Sequence, residues 1–245
     1  MELTARRVAP TDTSLDRASS GTGPDHERPY ERLARKISAL ILRGELRAGA
    51  RMPSERELAE RYRVSRTAIR EAIIALEIRG VVEVRPASGI YTRPVRPSSI
   101  IAKGSAGPFE LLRGRLIIEP PICASAASAA KDADLDAIYA TIVAMKDTLN
   151  DKRANEVADR AFHVAIASAT GNGMLTEIVG AVWDRRHGPM WDKIEEHFHT
   201  PALREAAVRD HQRIFNALAA HDPAEASAQM QSHIERVIAE FGKAW

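Results

Sequence analysis

The sequence predicts a mostly α-helical protein in two unlike parts, and three observations point there. Apolar residues recur at three- and four-residue spacing along most of the chain. One stretch, VVEVRPASGIYT, alternates and turns as a β-hairpin does. Charge is divided unevenly: residues 28–95 carry 15 Lys and Arg against 8 Asp and Glu, a balance of +7, whereas residues 1–27 balance to −2 and residues 96–245 to −3. A basic N-terminal part followed by a mildly acidic one suggests nucleic acid as the partner of the first and something else for the second.

Bulk composition narrows the class. A chain of 245 residues has room for two modest domains, and 44% hydrophobic with 28% charged residues excludes a disordered or fibrous protein. The single cysteine, Cys123, cannot form an intrachain disulfide and fits a reducing, cytoplasmic setting. No apolar run approaches the roughly 18–20 residues that span a membrane. Residues 1–27 have no secretory h-region; rich in Ser, Thr, Gly, Pro and charge, they read as a disordered tail.

In residues 28–95, PYERLARKISALILRGEL places Leu33, Ile37, Leu40 and Ile41 on one helical face, with a stop near Gly44. Ser54 and Glu57 form an S-x-x-E capping box, so a second helix starts at Ser54 and runs to about Tyr62. Ser65 caps a third, RTAIREAIIALEIR, with Ile69, Ile73 and Leu76 inward and Gly80 as its stop. Helix, helix, short turn, helix, hairpin is the order of a winged helix-turn-helix. Its third helix enters the major groove, with Arg66, Thr67 and Arg70 towards base edges and phosphates. The plainer alternative is a solvated basic helix face.

The run PSERELAERYRVSRTAIREAIIALEIRGVVEVRPASGIYT resembles the DNA-binding domain of the GntR family of bacterial transcription regulators. The resemblance implies operator contacts from Arg56 and from Ser65, Arg66, Thr67 and Arg70, with the wing glycine, Gly89, approaching the minor groove. Ala68 stands where family members often have proline, and the wing tip reads PASG rather than a Gly-rich run.

Residues 96–108, with several Pro, Gly and Ser, read as a linker, and residues 109–245 as an all-α bundle of six or seven helices with almost no strand signal. GNG at 171–173, HGP at 187–189 and DP at 222–223 mark breaks, and Pro120 and Pro121 predict a kink or break in the first helix. Asp159 and His163 are i, i+4 neighbours and share a face. His211 and His233 each lie 11 residues from Asp222 in the turn between two helices, which puts both at one level, roughly 16 Å along an antiparallel hairpin. Each histidine alone reads as a hydrogen-bonded core residue. Together the four form an Asp-His-His-His set suited to Zn²⁺, Ni²⁺, Mn²⁺ or Fe²⁺. His197 and His199 would diverge, and His26, His187 and His221 fall in the tail or at breaks.

From Phe109 to about Phe241 the chain resembles the all-helical effector domain (FCD domain) of the FadR subgroup of GntR regulators. Its metal-binding members carry D-x-x-x-H and two later single histidines, which implies metal ligation by Asp159, His163, His211 and His233. The same resemblance implies that Arg115, four before Glu119, meets a ligand carboxylate. EAIIALEIRGVVEVR, GPFELLRGRLIIE and AVWDRRHGPMWDKIEEH resemble the hexuronate-responsive repressors of the subgroup, which implies a hexuronate or related sugar acid as effector, with Trp183 or Trp191 covering its apolar face. The expectation is a homodimeric, cytoplasmic, non-enzymatic repressor that binds palindromic double-stranded operator DNA. A metal-dependent enzyme using the Asp/His₃ set, or a regulator that senses the metal itself, remain the alternatives.

Overall fold

A computed structural model describes residues 28–85, 87–93, 106–186, 188–198 and 200–243; the expected tail and most of the expected linker lie outside them. α1 (Pro29–Leu42) starts on a proline, whose missing N–H costs nothing in the first turn, and the chain leaves it through Gly44 at φ 76°. α2 (Glu55–Tyr62) is held by the expected capping box, with Ser54 Oγ accepting from Glu57 N and Glu57 accepting from Ser54 N at 2.7 Å. α3 (Arg66–Ile78) is capped by Ser65 and stops before Gly80 at φ 66°. β1 (Val82–Arg85) and β2 (Gly89–Thr92) pair antiparallel, Val84 opposite Ile90. Ile37, Leu58, Ile69, Ile73, Leu76 and Val82 close the core between them.

Seven helices follow: α4 (Pro108–Ala129), α5 (Asp132–Asp147), α6 (Lys152–Ala169), α7 (Gly173–Trp183), α8 (Pro189–Phe198), α9 (Pro201–Ala219) and α10 (Pro223–Phe241). Of the kink or break expected at Pro120 and Pro121, the break does not occur: α4 runs through both. The two prolines remove two helix hydrogen bonds. Just beyond them Ile122, Cys123, Ala126 and Ala127 are buried against the bundle, so packing holds the helix together. Asn172 caps α7 and Asp222 caps α10, the two breaks read as GNG and DP. The main core joins Ile138, Ile142, Phe162, Ile166, Ile214 and Ile234. No helix among the described residues is long and apolar enough to cross a membrane.

α3 is fastened to the helical bundle by its inner face. Glu71 Oε1 accepts the N–H groups of Phe109 (2.9 Å) and Glu110 (3.3 Å), capping the start of α4. Arg70 Nη1 donates to the Phe241 carbonyl (2.8 Å) at the end of α10. Between these two ties Ile74 enters a small core with Phe109, Leu112, Trp191, Ile194 and Phe241.

Candidate metal centre and nucleic-acid interface

The hairpin of α9 and α10 delivers His211 and His233 to one level, as their equal spacing from Asp222 requires, and their Nε2 atoms lie 3.3 Å apart. α6 brings His163 from the side. All three rings are buried, and a ligand nitrogen from each lies within 4.8 Å of the others. One turn before His163, Asp159 Oδ1 stands 3.6 Å from His163 Nε2 and 3.5 Å from His211 Nε2. That oxygen is buried and accepts no hydrogen bond. A buried carboxylate oxygen left so costs a few kcal/mol unless something positive meets it. Three imidazoles with one carboxylate beside two of them, and Arg115 Nη2 3.3 Å from His163 Nε2, fit a divalent ion of the N/O-preferring kind.

The outward nitrogens fix which atoms face inward. His163 Nδ1 lies 2.7 Å from Glu119 Oε2, and His233 Nδ1 lies 3.2 Å from Asp210 Oδ2. His211 Nδ1 faces Met145 Sδ at 3.2 Å. With a carboxylate accepting from Nδ1–H, the Nε2 lone pair of His163 and of His233 points to the centre. Burial lowers the His211 basicity well below the ordinary value, helped by His233; burial likewise pushes His233 down to about 4 against the pull of Asp210. Both rings are therefore neutral near pH 7, the form that ligates. Burial alone would raise the carboxyls of Glu119, Asp159 and Asp210, but the facing cations and histidines outweigh it and hold all three below the usual carboxylate range. Glu119 and Asp210, the carboxylates beside the histidines, are occupied as their orienting partners and as ion-pair partners of arginines, which leaves neither as a ready general base.

The residues expected to contact an effector are placed unevenly around the histidines. Arg115 reaches a cavity beside the histidines; its guanidinium pairs with Glu119, at 2.7 and 3.3 Å, and meets His163 Nε2 at 3.3 Å, and the Arg115 and Glu119 side chains are both about 3% exposed. Their i, i+4 spacing, the same signal that singled Arg115 out, is what closes the pair. Trp191 lines that cavity; Trp183 does not. Trp183 instead stacks on His163, 4.7 Å between ring centroids, and donates to Glu119 Oε1 at 3.1 Å. Sequence reading missed Asp210, Met145 and Arg186. Asp210 abuts His211 in the chain yet serves His233 across the hairpin, a pairing that only the level of the two helices exposes.

At the N-terminal end a cleft opens between the wing and the starts of α2 and α3, lined by Arg51, Arg56, Arg66, Ser54, Ser88 and Gly89. Arg56 and Arg66 are exposed, and Thr67 is half-buried. Ser65 Oγ is taken up in capping Ala68 N and meeting Thr67 Oγ1. Arg70 lies apart from the cleft. It is 1% exposed, paired with Glu55 and bonded to Phe241, because helical phase puts it on the side of Ile69 and Ile73 and away from the cleft. Arg51, which no motif singled out, also lines the cleft; it bridges to Tyr91 and lies against Gly89. Of the remaining histidines, His221 Nδ1 donates to the Ala127 carbonyl, and His26, His187 and His199 lie outside the described residues.

Comparison with known proteins agrees with this two-part build. Residues 29–92 match the family model "Bacterial regulatory proteins, gntR family", and residues 110–236 match the FCD domain. The chain is 36% identical to the Uxu operon transcriptional regulator of Escherichia coli K12 over 86% of this chain and 86% of that one. It is 35% identical to the Exu regulon transcriptional regulator of the same strain, over 85% and 82%. Among solved structures, Streptococcus agalactiae GntR aligns with TM-score 0.45 and 25% identity, covering 85% of this chain and 98% of that one.

Proposed function

The chain belongs to the gntR family of bacterial regulatory proteins and is a DNA-binding transcription regulator; from that premise we propose that it acts as a homodimeric, metal-dependent repressor. Its operator affinity is set by a small organic acid, a hexuronate or related sugar acid. Residues 28–95 form the DNA-binding domain and residues 109–245 the effector and dimerisation domain, joined by a linker. One observation carries the effector half of this reading: the orphaned Asp159 Oδ1 aimed at two of three converging, buried histidines.

Asp159, His163, His211 and His233 would hold the ion. When bound, it supplies a positive centre for a carboxylate and its neighbouring hydroxyl. Glu119 and Asp210 orient two of the ligands, Arg115 keeps Glu119 charged, and Trp191 offers an apolar wall. The two named relatives, regulators of the Uxu operon and the Exu regulon, agree with the effector class that the sequence resemblance implies.

On the DNA side Arg66 reads base edges from the first turn of α3, Arg56, Ser65 and Thr67 meet the backbone, and Gly89 lets the wing approach. Two copies read the two half-sites. The acid acts through its different affinity for the DNA-competent and incompetent arrangements of the pair. The test is a gel shift on the operator with zinc-loaded protein at physiological salt, titrated with glucuronate and galacturonate. A uronate-dependent loss of binding is expected. Release by a different acid with no response to any sugar acid would overturn the effector class, and release by zinc alone would make the ion the signal.

A further inference from the structure

Three arginines line the cavity beside the histidines: Arg115, Arg186 and Arg204. Arg115 is locked to Glu119, and Arg204 Nε donates to the Leu149 carbonyl at 2.7 Å. Arg186 is held differently. Its guanidinium is sandwiched between two indoles, 4.2 Å from the Trp183 ring and 4.6 Å from the Trp191 ring. It also faces an outer cleft on the other side, which contains Lys152, Arg160 and Asp192. Arg186 is thus the partition between that cleft and the cavity.

We propose that Arg186 is the residue that receives the effector's carboxylate, and that loading of the metal site frees it to do so. The inference rests on the reading of the cavity as a metal-dependent acid site. Its two ion pairs are unequal: Nη1 lies 3.5 Å from Asp159 Oδ2, while Nη2 donates to Glu195 Oε1 at 3.2 Å, both longer than the about 2.7–2.9 Å of a close charged bond. Neither carboxylate has Arg186 as its sole partner. Glu195 is also met by Lys152 Nζ at 3.3 Å and by Trp191 Nε1. Asp159 gains a cation when an ion joins His163 and His211. Releasing Arg186 therefore strands no buried charge, whereas pulling Arg115 from Glu119 breaks a fully buried pair. The guanidinium lies against two indoles, and its planar fork suits two parallel bonds to a carboxylate.

The experiment uses the full chain loaded with zinc, with uronate binding measured by calorimetry and zinc content by elemental analysis. Arg186→Gln is expected to keep its zinc and lose galacturonate and glucuronate affinity by about 10- to 100-fold. Arg186→Lys, which keeps the charge but not the fork, is expected to recover only part of it. Galactose, which has no carboxylate, should not distinguish the variants from the parent protein. If Arg186→Gln binds the uronates as tightly as the parent, Arg186 is not the receptor and the acid-site reading stands. If both variants lose zinc along with the acid, Arg186 supports the metal site instead, and the proposal is overturned. If the zinc-loaded parent binds no sugar acid at all, the underlying reading falls too.

Discussion

Replacing His233 with glutamine should flatten the acid limb of the apoprotein's stability profile. Burial holds the His233 ring at about 4, against roughly 6.5 in an unfolded chain. Between those two values the unfolded state binds a proton that the native state refuses, so stability falls as the pH drops through this window and levels off below it. Each pH unit costs about 1.4 kcal/mol, so His233 alone removes about 3 kcal/mol between pH 6.5 and 4. His211 is also held low and adds to the slope, which therefore does not vanish in the variant. The assay is urea unfolding in the presence of a chelator at half-unit steps from pH 7 to 4. At pH 7 the His233→Gln protein should be the less stable, because the new side chain packs less well; by pH 4 the two curves should have drawn together by about 3 kcal/mol. Curves that stay parallel across the window would refute the reasoning, since they would mean that His233 takes up its proton equally in the folded and unfolded chains.

Three further outcomes follow from the geometry. Asp210→Asn should weaken zinc binding about 10- to 100-fold by equilibrium dialysis, as loss of a carboxylate behind a ligating histidine does; unchanged affinity would remove Asp210 from the site. Arg66→Ala should lower operator affinity about 10- to 100-fold while changing affinity for random DNA far less, and equal losses on both in a gel shift would reduce Arg66 to a phosphate contact. Cys123 should resist alkylation at pH 8 in the native protein and react once unfolded, because burial, assisted by Glu119, pushes its thiol up to about 12; rapid native labelling by mass spectrometry would contradict this.

Much of the fold could be read in advance because it is written in local signals. Ser54 with Glu57, Ser65, Asn172 and Asp222 announce helix starts through side chains that reach only two or three residues along the chain. The histidine pairing was legible for a geometric reason: two helices joined by a short turn keep count from it, so equal offsets meet. What escaped depends on partners distant in sequence. Arg70 looks like a groove arginine until Glu55 and Phe241 are placed beside it. Pro120 and Pro121 look like a break until the packing of Ile122 and Cys123 is known. Arg115 carries the spacing that pairs it with Glu119, and the sequence does not show that the same side chain also lines the cavity.

The small core around Ile74 bears on how freely this protein could be recombined with its kin. Phe109, Leu112, Trp191 and Phe241 surround Ile74, and Leu112, Trp191 and Phe241 also line the cavity beside the histidines. A chimera that kept helices α4–α10 and took its DNA-reading head from another regulator would replace Arg70, Glu71 and Ile74 together. The graft would then change not only which operator is read but the residues that back the cavity beside the histidines. Transplanting specificity here means moving the inner face of α3 along with the receiving helices, or rebuilding one to match the other. In this chain α3 and the helices around the cavity share one core.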